Sequence, residues 1–209
     1  MEAASHYKFE DLMEDLGADE NVLSVMERRS LDEQGYLLMT DLIDLIWLDQ
    51  LREAFEEAAS KKEQSPGGKE SGTRHPDDLL NRSKAFHGIC TQPKVLAAIH
   101  HILRRPFRLS QCGSTRIVPG THRLPGQVPK AIADPGGHHT DELIVTGAAG
   151  SVLLFNGHLW HSGTRNNSRG SRRALQCVFW AREAFPPYTT PLHDRPEELP
   201  LPIRYILGL

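Results

Sequence analysis

Residues 150–177 read GSVLLFNGHLWHSGTRNNSRGSRRALQC, and their layout decides the expected fold. Residues 151–156 form a short apolar run between Gly150 and Gly157, which predicts a buried strand. His158, Leu159, Trp160 and His161 follow directly, then a polar turn over 163–170. Arg172 and Arg173 open a second expected strand over 174–180. The order is strand, histidine, turn, arginine, strand. A β-barrel that holds a metal on one strand and an anion partner on the next needs this layout. The separation of eleven positions from His161 to Arg172 allows a hairpin that brings both side chains to one barrel mouth.

Two further stretches join this one. Ser114-Thr115-Arg116-Ile117-Val118-Pro119-Gly120-Thr121-His122-Arg123 lies upstream, and Gly35-Tyr36-Leu37-Leu38 lies near the start. Together the three resemble the phytanoyl-CoA dioxygenase family of Fe(II)/2-oxoglutarate oxygenases. The resemblance implies a mainly β fold with flanking helices, a double-stranded β-helix (jelly-roll) barrel. It implies Fe(II) and 2-oxoglutarate as cofactors and hydroxylation of a small organic substrate. In the family, a His-x-Asp motif and a distal His hold the iron, and an Arg beyond the distal His pairs with the 2-oxoglutarate carboxylate. By position His161 is the distal His and Arg172 the carboxylate partner, with Arg173 the alternative if the register shifts by one.

One departure is as informative as the match. The family carries its His-x-Asp motif between a segment like 106–110 and one like 113–116, and here only Gln111 and Cys112 separate the two. The sequence therefore reads as a family member with that segment deleted, and the barrel as one missing core strands. Two functions follow as expectations: the family's dioxygenase activity, or a catalytically inactive truncated isoform or pseudoenzyme acting as a binding or interaction protein. No catalytic residue is assigned.

His139-Thr140-Asp141 is a literal His-x-Asp. On a strand, residues i and i+2 share a face, so this pair is a candidate for the metal. The competing reading is a solvated turn, because the motif follows Pro135-Gly136-Gly137 and precedes an expected strand at 142–146. A small cupin-type metal site using His138, His139 and His161 is a third reading. His122, His158 and Arg116 are expected behind the ligands or against substrate. His100 and His101 are adjacent on a predicted helix and point in different directions, unlike the i, i+4 spacing of paired helical ligands.

The 209 residues suffice for one domain with a sizeable core. A net charge of −3 gives no electrostatic footprint for nucleic acid. No apolar run reaches the length of a membrane span, and the acidic N-terminal stretch lacks a signal-peptide core, so a cytoplasmic protein is expected. Cys90, Cys112 and Cys177 are widely spaced and odd in number, which suits free thiols in a reducing compartment. The expected organisation is a single domain over 1–209. It has a helical part at 1–105 with a flexible loop at 61–78, a barrel core at 106–183 and a tail at 184–209. Helices are expected over 7–16, 21–35, 41–60 and 92–103. Strands are expected over 36–40, 107–110, 115–118, 142–146, 151–156 and 173–180, with 142–146 and 151–156 joined by the turn at 147–150. Residues 79–88 read as partly extended, and 203–207 as an apolar segment on the barrel exterior. The expected partner is a small-molecule substrate, and the strand edges left unpaired favour self-association.

Overall fold

The computed structural model describes residues 7–60, 79–109, 116–125, 138–163, 173–175, 177–184 and 195–209. Helix α1 spans Phe9–Asp15, and the N–H of Lys8 donates to Asp11 Oδ2 at 2.7 Å to fix its start. Helix α2 spans Val25–Glu33. Its entry is a reciprocal cap, with Ser24 Oγ accepting from the N–H of Glu27 and the Glu27 carboxylate accepting from the N–H of Ser24. Gly35 then takes φ +82° and turns the chain into strand β1, Tyr36–Met39. Helix α3 spans Leu45–Ser60 and helix α4 spans Leu79–Arg82, followed by a 3-10 turn over Lys84–Thr91. Helix α5 spans Pro93–Leu103, with Pro93 in the first turn where its missing N–H costs nothing. The strands that follow are β2 (Phe107–Leu109), β3 (Arg116–Val118), β4 (Val152–Phe155), β5 (Trp160–Ser162) and β6 (Phe179–Ala181). Helix α6, Leu201–Leu207, is the last element.

This architecture corrects the expected jelly roll. Helix makes up 50% of the described residues and strand 14%, so the fold is not mainly β. Among the described residues the strands form three separate antiparallel ribbons, β1–β4, β2–β6 and β3–β5, and none is shared between two sheets. The expected hairpin joining the strand before His161 to the one after Arg172 is not formed. Instead β5 pairs with β3 and β6 pairs with β2. Residues 142–146 do not pair with 151–156. Leu143 forms a lone bridge to Ile117, while β4 lies against β1. Strands of three or four residues cannot carry a barrel wall, and a two-stranded ribbon is marginal without something packed on its face. Here helices supply that cover.

Two apolar cores result, and α5 stands between them. Leu96 and Ile99 face a core built with Phe9, Leu12, Phe107, Leu109, Ile203, Ile206 and Leu207, so α1, α6 and the β2–β6 ribbon close around one side of α5. Phe107 is fully buried there, with T-shaped ring contacts to Phe9 at 5.2 Å and Phe179 at 5.7 Å. Ala97 and Ala98 face the other core, with Leu23, Leu31, Leu37 and Met39 from α2, its approach and β1. The apolar segment 203–207, expected on the exterior, is thus part of the core, as buried Ile203, Ile206 and Leu207 show. Residues 79–88, expected to be partly extended, are helical, and the Ser83 hydroxyl caps their 3-10 turn by accepting from the N–H of Ala85. The helix expected over 41–60 does not bury its apolar residues uniformly. Ala54 and Ala58 are buried, whereas Leu45 and Ile46 are exposed. The loop at 61–78 lies outside the described residues.

Polar contacts lock the helices in place. Glu27 pairs with Lys94 of α5 at 2.6 Å. Burial pulls the Glu27 carboxyl upward, but Lys94 and Ser24 outweigh it and hold it below the ordinary glutamate range. This contribution to stability is fully present above that range and is lost as pH falls below it through the lowered value. Arg108 of β2 donates to the Leu207 carbonyl at 3.0 Å and Arg182 donates to the Tyr205 carbonyl, so two cations cover the C-terminal turn of α6. Burial, and then the neighbouring Arg182, lowers the pKa of Arg108.

Two substitutions test this packing. A Cβ at Gly35 would meet His122 Nδ1 at 2.3 Å and would also force a side chain into φ +82°. Gly35→Ala should therefore cost about 2 kcal/mol or more in chemical denaturation. Ala98 is fully buried between α5 and its neighbours, and Ala98→Leu should cost about 1–3 kcal/mol by overpacking.

Candidate functional site

The site suggested by the sequence centres on His161, in the middle of β5. Its cross-strand partner is Ile117, and Trp160 pairs with Val118. Partners in an antiparallel pair share a face and neighbours alternate. His161 and Ile117 therefore occupy one face of the ribbon, and Trp160 and Val118 the other. The His161 ring lies against Phe155 at 5.0 Å between centroids, and its Nδ1 donates to the Leu159 carbonyl at 2.7 Å. That bond puts the ring proton on Nδ1 and leaves the Nε2 lone pair available. Thr121 braces the ribbon: its Oγ1 accepts from the N–H of Trp160 at 2.9 Å and donates to the Val118 carbonyl at 2.7 Å.

His139 and Asp141 are adjacent but are not on a strand. The N–H of Glu142 donates to the His139 carbonyl at 3.1 Å, which closes a turn. The N–H of Asp141 donates to His139 Nδ1 at 3.2 Å, so in the neutral ring the proton sits on Nε2. Nδ1 and Asp141 Oδ2 are 3.9 Å apart, and the Asp141 side chain is largely exposed. The His139 ring meets Trp160 edge-on at 6.1 Å. It thus sits on the Trp160 side of the ribbon, opposite His161. His138 is exposed and bonds Glu142 Oε1 at 2.5 Å, so it does not join His161 either.

The other sequence candidates scatter. Arg172 lies outside the described residues. Arg173 is exposed and forms an ion pair with Glu56 of α3, a partner 117 positions away that no local pattern could reveal. Of Arg116 only the backbone is described. His158 is exposed on the turn after β4, where its N–H donates to Asn156 Oδ1 at 2.9 Å. His122 packs its ring on Gly35 and bonds the Asp32 carbonyl through Nε2 at 3.3 Å, a structural position away from His161. His100 packs on Phe9, and His101 bonds Asp32. Cys90 and Cys177 are not joined in a disulfide among the described residues. Among the described residues no three His, Cys, Asp or Glu side chains gather as a metal site, and no helix is long and apolar enough to cross a membrane.

With this geometry in place, comparison with known families gives a match. The phytanoyl-CoA dioxygenase (PhyH) family model matches residues 110–174, so the chain carries that family's signature over the segment that includes β3, β4 and β5. The class this suggests is the Fe(II)/2-oxoglutarate-dependent oxygenases. The described residues fit the iron of that class at one position, His161, and do not complete its ligand set.

The Arg173–Glu56 pair is solvent-exposed on both sides, with 42% and 50% of the side chains accessible. Arg173→Gln should therefore lower stability by no more than about 1 kcal/mol, and Glu56→Gln added to it should have little further effect. A double-mutant cycle in urea measures both.

Proposed function

We propose that this chain is a non-catalytic form within the Fe(II)/2-oxoglutarate oxygenase class, acting as a binding or interaction protein. The observation that carries this reading is the separation of faces on the β3–β5 ribbon. An iron site of this class needs two imidazoles and one carboxylate on one side of the metal. His161 offers Nε2 on one face, while His139 lies on the other with its proton on Nε2 and Asp141 beside it. The six residues that join β2 to β3, Ser-Gln-Cys-Gly-Ser-Thr, include no His, Asp or Glu, so the place where the family carries its motif offers no ligand. No chemical step follows from these residues as they stand.

One observation favours a second reading, an active dioxygenase that hydroxylates a small organic substrate with Fe(II) and 2-oxoglutarate. The Nδ1–H of His161 is anchored to a backbone carbonyl, the arrangement that orients imidazole ligands toward metals. In that reading Arg172, or Arg173, holds the far carboxylate of 2-oxoglutarate through a bidentate contact.

Anaerobic titration of the folded protein with Fe(II) and 2-oxoglutarate separates the two. The proposal expects no visible charge-transfer band from the ternary complex. A band that disappears in His161→Ala establishes the second reading. A band that survives in His161→Ala removes His161 from the metal site and sinks both assignments of that residue.

A further inference from the structure

We draw no further inference here: the strongest candidate, the cleft of about 600 Å³ between α3 and the 3-10 turn over Lys84–Thr91 with Trp47 in its wall, carries nothing because its charged lining, Glu53, Glu57 and Lys84, is exposed and of mixed sign, and nothing among the described residues shows what fills it.

Discussion

Helix α5 is the constraint on which the rest depends. Four consecutive residues, Leu96 to Ile99, are buried, so the helix has no solvent face through its middle turn. Its large side chains fill the core shared with α1, α6 and the β2–β6 ribbon. Its alanines let α2 and β1 approach closely on the other side. Both cores therefore share one rod, and a shift of α5 toward either opens a gap in the other. Close-packed interiors resist such displacement because a lost contact has nothing to replace it. The ribbons are held by this helical frame and not by each other.

That arrangement bears on the segment that matches the phytanoyl-CoA dioxygenase family model. The match over 110–174 falls on short ribbons, whereas the frame comes from helices before and after it. The His161 ring is held locally, with its Nδ1 tethered to the Leu159 carbonyl and Phe155 against its face. A site also needs convergence, and convergence comes from several strands in register. With β3–β5 isolated from the other ribbons among the described residues, the supports that would aim further side chains at His161 are not provided by its neighbours.

The legible parts of the sequence were those with local causes. Pro93 followed by Val95, Leu96 and Ile99 specifies α5 by cap and period alone, and Gly35 before Tyr36 marks the end of α2 and the start of β1. Pairing was not legible. A three-residue strand such as Phe107–Leu109 has too short a pattern to name its partner, and its true partner lies some seventy residues away in β6. The His-x-Asp at 139–141 fits a strand by spacing, but the turn closed by Glu142 depends on hydrogen bonds that spacing does not encode. The apolar segment in α6 announced burial without saying against what.

The burial of α6 also has a consequence for the order of synthesis. Phe107 and Leu109 leave the ribosome long before Leu207, and their pocket stays open until Ile203, Ile206 and Leu207 arrive. At ordinary elongation rates that interval is roughly five to twenty seconds. Throughout it a nascent chain with α1 and α5 already formed displays an apolar wall to its surroundings. The core around Phe107 is therefore completed only after α6 has been made.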